Sequence, residues 1–238
     1  MKKLLITTIF LLISTNCVFA TPTYVRGNQN AGSGISTLTL TSTGAGDLLI
    51  ACEEIYTAGN IPSTLSDSAG NTYTRIQNNT STVQGFACYY KENATASGGT
   101  NTLSVTSDGT YGRYVVAEYS GVSTSSSLRT SGQNYNAAAN SFTSNASAMT
   151  TVVGDLVIGF MFNYSAAITA GSGYTGETSP SQSLLEDKVA TSTSENPNGT
   201  STGSNAWLGI GAAFAPTAGA APGNVKINKA VINQATIN

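Results

Sequence analysis

GDLLI at residues 46–50 and GDLVI at residues 154–158 decide how this chain folds. Each follows a Ser/Thr-rich segment and opens an apolar run, 47–55 and 155–162, short enough for a strand and rich in Leu, Ile and Val. A strand that recurs together with its opening turn predicts two related central positions, in two sheets or in two halves of one sandwich. The Gly-Asp pair makes the turn, with Asp47 and Asp155 accepting local backbone N–H bonds. An acidic site shared by Asp47 and Asp155 is the functional alternative, and ordinary Asx-turn chemistry is preferred to it.

Outward from these two runs the pattern stays the same. Further strands are expected at 37–41, 72–77, 85–91, 101–106, 113–119, 183–189 and 206–214, separated by turn signals such as Ser68-Ala69-Gly70-Asn71, Ser107-Asp108-Gly109 and Asn198-Gly199. No segment keeps a helical period for three turns. The fold class is all-β, a two-sheet antiparallel β-sandwich of jelly-roll-like form.

The ends read differently. Lys2, Lys3, an apolar run to Ile13 and Val18-Phe19-Ala20 form an export signal over residues 1–20, cleaved near Ala20, which makes the mature chain secreted or held at the cell surface. A lipoprotein signal ending at Cys17 is the weaker alternative, because Ser14-Thr15-Asn16 lacks a lipobox pattern. Residues 21–216 make the sandwich domain. Residues 217–238 continue a small-residue linker into a tail where Val225, Ile227, Val231, Ala235 and Ile237 alternate with polar residues, the pattern of a strand available for pairing with its own domain or with a neighbour.

Composition excludes several functions. The whole chain carries a formal charge of −2 with only 9% charged residues, and no basic cluster, so nucleic acid is not an expected partner. No stretch after the signal is long and apolar enough for a membrane span. With no histidine, Ser-His-Asp and Cys-His nucleophile systems and His-ligated zinc are excluded. Once Cys17 leaves with the signal, Cys52 and Cys88 remain, both on apolar strand faces. In an oxidising compartment they are candidates for a disulfide worth about 4 kcal/mol, against the alternative of two buried thiols on separate strands.

GDLLIA from Gly46, LSDSAGNTYT at 65–74, CYYKENATASGGTNTLSVT at 88–106, VVAEYSGV at 115–122, GDLVIGF from Gly154, LLEDKVA at 184–190 and WLGIGAAFAP at 207–216 together resemble a widespread family of secreted bacterial jelly-roll-like β-sandwich domains. The resemblance spans about residues 37–216. It implies a jelly-roll-like sandwich of the kind found in cell-surface and polysaccharide-directed proteins, and it implies no agreed activity. Here the domain stands with only a short tail, which argues against a role as accessory to an attached enzyme.

The remaining chemistry is thin. Catalysis of glycoside hydrolysis needs two carboxylates facing one bond. The neighbours Glu53-Glu54 and Glu186-Asp187 point to opposite faces if they lie in strands, and Glu118 is the best single acid, expected to be solvated or Arg-paired. For metals, Asp67 and Asn71 place oxygen donors around a glycine turn, a calcium-like feature that also makes an ordinary Asx turn; no cofactor is otherwise expected. Carbohydrate binding uses exposed rings with short polar side chains, and Trp207, Tyr89, Tyr111, Tyr114 and Tyr164 are its candidates. Trp207 shares a parity with Gly209, Gly211 and Ala213, at the end of an outer face open to a ligand or strand, unless it plugs the rim. Six Asn-x-Ser/Thr positions read as polar turns, since the signal is of bacterial type.

The sequence therefore predicts a secreted, non-catalytic binding or adhesion module for glycans or a surface protein. A self-assembling subunit using its C-terminal strand is the alternative, and a carboxylate-based polysaccharide enzyme the third reading.

Overall fold

The computed structural model describes residues 19–57, 65–81, 84–105, 111–164, 166–178 and 182–218. In chain order the strands are β1 (Thr23–Ser33), β2 (Thr37–Leu40), β3 (Leu48–Ile55), β4 (Ser66–Asp67), β5 (Thr74–Thr80), β6 (Gly85–Lys91), β7 (Asn101–Ser104) and β8 (Tyr111–Ser120), then β9 (Leu128–Thr143), β10 (Met149–Thr150), β11 (Leu156–Asn163), β12 (Ile168–Ala170), β13 (Thr175–Thr178), β14 (Ser183–Val189), β15 (Ser194–Glu195) and β16 (Asn198–Phe214). This is an all-β domain of several antiparallel sheets.

The second half of the chain repeats the first. One sheet runs β1-β8-β3-β6-β5; another runs β9-β16-β11-β14-β13, with β12 added along the start of β16. Outside these, β2 pairs with β7 as β10 pairs with β15. The registers also correspond: Leu48, Ile50 and Cys52 oppose Tyr119, Ala117 and Val115, and Leu156, Ile158 and Phe160 oppose Phe214, Ala212 and Ile210.

The echoed sequence sits at the equivalent point of each half, as expected. Gly46 and Gly154 both take a positive φ, 84° and 99°, which a side chain would strain. Gly46 N–H donates to Ala94 O and Ala94 N–H to Asp47 O; Gly154 N–H donates to Ala190 O and Ala190 N–H to Asp155 O. Asp155 also accepts Val152 N–H through its carboxylate, a local backbone bond as expected, although the donor lies three residues before the aspartate and so closes no Asx turn. Asp47 departs from that expectation by hydrogen-bonding to Glu118. The two aspartates lie in different sheets, each with its own arginine nearby, and form no shared site.

Both larger sheets contribute to one buried cluster that includes Leu48, Ile50, Phe86, Val115, Ile158, Phe160, Leu185, Ile210 and Phe214. Phe86 of one sheet stacks on Phe160 of the other at 5.1 Å between centroids. A second layer lies on the other face of the first sheet, where Leu38, Leu40 and Leu103 of β2 and β7 pack with Leu49, Tyr89 and Tyr114. Smaller clusters around Phe142 and Trp207, and around Met149 and Val157, occupy the other face of the second sheet. Because β3 and β11 have apolar neighbours on both faces, every residue of both strands is buried, which explains the apolar runs at 48–52 and 156–162; β3 then buries Glu53 and Glu54, and β11 ends on the buried Asn163.

Cys52 and Cys88 oppose one another on β3 and β6 and form a disulfide that closes 36 residues. The parity read for 206–214 is also observed, with Leu208, Ile210, Ala212 and Phe214 in the shared core. The glycine face, however, is not open. Residues 143–145 fold over it: a Cβ at Gly211 would lie 2.4 Å from Ser144 Oγ, one at Gly209 would lie 2.8 Å from Ser144 Cα, and Gly211 N–H donates to Asn145 Oδ1. The small residues make room for the protein's own chain.

Hydrogen bonding continues past the expected boundary at Pro216. Thr217 N–H donates to Gly121 O, and Thr217 O accepts from Ala20 N–H, so the two ends of the described chain lie side by side. The signal run through residue 18, the 107–109 turn and the alternating tail from residue 219 lie outside the described residues. Among the described residues no helix is long and apolar enough to cross a membrane.

Candidate binding rim

Three core rows run out to the surface at one end of the two large sheets. On β3 the inward row Leu48, Ile50, Cys52 continues to Glu54 and then to Tyr56; on β8 the row Tyr119, Ala117, Val115 continues to Arg113 and Tyr111; on β11 the row Leu156, Ile158, Phe160 continues to Phe162 and Tyr164. Alternation along three strands, in the register their pairing sets, therefore brings three tyrosines, one arginine and one carboxylate to the same end of the core.

The tyrosine rings meet there. Tyr56 lies edge-on to Tyr111 at 6.3 Å and 85°, and tilts against Tyr164 at 5.3 Å and 43°. Backbone bonds hold the strand ends, Tyr56 N–H to Tyr111 O and Tyr164 N–H to Ala206 O. Tyr111 and Tyr164 remain 40% and 42% exposed, among the few large rings left open to solvent. Burial, then a hydrogen bond with Tyr164, pushes the Tyr56 hydroxyl well above the usual phenol range.

Beneath the rings the polar groups neutralise each other. The Arg113 guanidinium sits 4.5 Å from the Phe162 ring centre and 5.0 Å from that of Tyr111, an arrangement that favours the cation over both π faces. It is ion-paired to Glu54 at 3.3 Å and hydrogen-bonded to Gln182. Glu54 is fully buried, and that burial pushes its carboxyl up to about 7 despite the opposing pull of Arg113. The rim thus presents aromatic faces and phenol hydroxyls over a closed ion pair. It can stack against flat apolar surfaces and hydrogen-bond to hydroxyls.

Of the five rings read as ligand candidates, the structure brings Tyr111 and Tyr164 together at this rim and adds Tyr56. The other three are buried. Tyr89 and Tyr114 belong to the layer between the first sheet and β2-β7, so their exposure is corrected: β-strand parity turned them toward a covered face. Trp207 is 3% exposed and packs on Phe142 at 5.6 Å, because β9 and the segment after it cover the face on which it stands. The period-2 continuation of the core rows was the signal for Tyr56, Arg113 and Glu54, and it is visible only once the inward parity is fixed by the partner strands.

The other candidates resolve by their hydrogen bonds. Asp67 receives five donors: Ala69 N–H, Asn71 N–H, Asn71 Nδ2, Tyr73 Oη and Asn101 Nδ2. Burial raises this carboxyl, and the bonds from Asn101, Asn71 and Tyr73 outweigh it and hold it below the usual range. A shell made of donors is the reverse of a cation site, so Asp67 and Asn71 form the Asx turn rather than a calcium loop. Glu118 is fully buried, ion-paired to Arg26 at 2.8 Å and accepting from Gly44 N–H. It is Arg-paired but not solvated. Its hydrogen bond with Asp47 brings two carboxylates into contact, too close to flank a glycosidic bond. Glu186 and Asp187 point apart as expected, Glu186 accepting from Gly171 N–H and Asp187 lying toward the buried Tyr119 hydroxyl. Among the described residues no three His, Cys, Asp or Glu side chains gather as a metal site.

Comparison of the chain with protein-family models, with curated proteins and with solved structures finds no match in any of the three.

Proposed function

We propose that this chain is a secreted, non-catalytic binding module of β-sandwich form, related to the bacterial jelly-roll-like domains its motifs resemble, that holds an extracellular glycan at the tyrosine rim. The observation that carries this reading is the convergence of Tyr56, Tyr111 and Tyr164 from three strand ends, with two of the rings substantially exposed. Rings left this exposed at a rim give up part of the hydrophobic burial a core ring gains, and they supply the stacking faces and hydroxyls that sugar recognition uses. The support from charge points the same way: the one cation beneath the rings is already neutralised by Glu54, so the surface favours neutral partners.

Binding of the 21–238 chain to an array of bacterial and plant polysaccharides tests this. The Tyr111→Ala/Tyr164→Ala variant is expected to lose at least about tenfold in affinity, the equivalent of roughly 1.4 kcal/mol, with an unchanged circular dichroism spectrum and a cooperative unfolding transition that still lies above the assay temperature. Unaltered glycan binding by that variant, or no binding by the wild type to any glycan presented, overturns the reading.

A further inference from the structure

A groove of about 500 Å³ lies on the far side of the second sheet, bordered by Asn134, Asn136, Ser141 and Thr200, with Phe142 and Trp207 also among its lining residues. No charged side chain lines it among the described residues. The β9–β16 ladder shifts register on either side of Asn205, between the pairs Thr200–Ser141 and Trp207–Asn136, so the two strands are already irregular where they border the groove. Irregular pairing of this kind is common beside binding sites. Trp207 itself is buried, yet its indole Nε1 has no hydrogen-bond partner among the described residues. A buried donor left unpaired costs about 1–3 kcal/mol.

We propose that this groove is a second binding site, for a neutral oligosaccharide, in which a ligand hydroxyl entering between β9 and β16 accepts the hydrogen bond of Trp207 Nε1. The lining decides the ligand class. Amide and hydroxyl side chains without charges recognise polyhydroxylated neutral groups by exchange of hydrogen bonds, and they give an acidic or basic ligand no counter-charge. The site extends the glycan-binding reading to a face separate from the tyrosine rim.

Trp207 is the chain's single tryptophan, so its emission reports on this groove and not on the rim. The experiment titrates the 21–238 chain with cellohexaose, maltohexaose and chitohexaose to millimolar concentration while following tryptophan fluorescence. A saturable change with at least one of them is expected. Thr200→Phe, which fills the groove from an exposed position, should weaken that change about tenfold, and Trp207→Phe should weaken binding measured by calorimetry by a similar factor at a temperature where circular dichroism shows the variant fully folded. The Tyr111→Ala/Tyr164→Ala variant should keep the fluorescence-detected affinity. Silent fluorescence with all three sugars, or indifference to Thr200→Phe, overturns the groove; polysaccharide binding lost only in the tyrosine variant would then leave the rim standing alone.

Discussion

The two halves of this molecule build the same sheet from different materials. At the centre of the first half, Cys52 of β3 faces Cys88 of β6 and the two are joined covalently; at the same place in the second half, Phe160 of β11 faces Leu185 of β14. One half is tied and the other is packed. The lesson is that the topology does not depend on either device. What both halves keep is the Gly-Asp turn, the doubly covered central strand and the order of its neighbours. The periphery differs more: β2, β7 and β4 make a three-stranded cover for the first sheet, whereas β10 and β15 pair over two residues each, and the groove beside Trp207 lies on the more thinly covered face.

The largest effect should come from the packed half. Phe160 lies at the middle of the shared cluster and stacks on Phe86, so Phe160→Ala leaves a cavity facing both sheets and is expected to cost about 3–5 kcal/mol in urea unfolding. Because the cluster is common to both halves, the loss should appear as one cooperative transition at lower urea. Two separated transitions would show that the halves unfold independently, and would break the view of a single core.

The tied half should lose a comparable amount, with a lower floor. Cys52→Ala/Cys88→Ala removes a link whose loop-entropy contribution is about 4 kcal/mol, within a usual range of roughly 2–5 kcal/mol. The midpoint in urea of the variant, compared with the wild type under oxidising conditions, measures it, and a difference below about 1 kcal/mol would mean that the first half is held by packing as the second is.

The same comparison shows why some of this was legible in the sequence. β3, β6, β11 and β14 lie close to the limits the sequence predicts, because each carries a run of apolar residues where it is covered: 48–52, 86–90, 156–162 and the pair Leu184-Leu185 that opens the half-charged β14. β1 and β9 carry no such mark. TYVRGNQNAGS at Thr23–Ser33 and the Asn/Ser/Gly-rich 128–143 carry few β-branched residues, and they are strands because β8 and β16 offer them a ladder to complete. The site divided along the same line. Tyr111 and Tyr164 were named from their ring type, but their meeting with Tyr56 over Arg113 and Glu54 depends on which strands are neighbours, a fact that no local pattern contains. The glycine row of β16 was read correctly for parity and wrongly for exposure, since the chain that covers it comes from residues 143–145.

The smallest expected effect is electrostatic, and it separates the halves again. In the second half Arg129 meets one carboxylate, Asp155. In the first, Arg26 meets Glu118, and Asp47 is added to it; burial, then the contact with Glu118, raises Asp47 to about 6. Glu54 and Glu186 are also raised, each to about 7 and each chiefly by burial. A carboxyl whose pKa is higher in the folded than in the unfolded chain binds more protons when folded, so its contribution is fully present below the unfolded pKa and fades as pH rises through the folded one. The thermal midpoint should therefore fall by a few degrees between pH 4.5 and 7.5, although Asp67, Glu92 and Glu195, held low by their hydrogen bonds, act in the opposite sense at pH values below that window. Asp47→Asn should remove part of the slope between pH 4.5 and 6, because the amide keeps a hydrogen-bond donor toward Glu118 at every pH. The corresponding change in the second half, Asp155→Asn, takes a charge from a pair with no second acid, and should lower the midpoint at pH 7 instead. If both variants respond alike to pH, the extra carboxylate of the first half is electrostatically silent and the two halves differ in their packing and in the disulfide, and not in their charges.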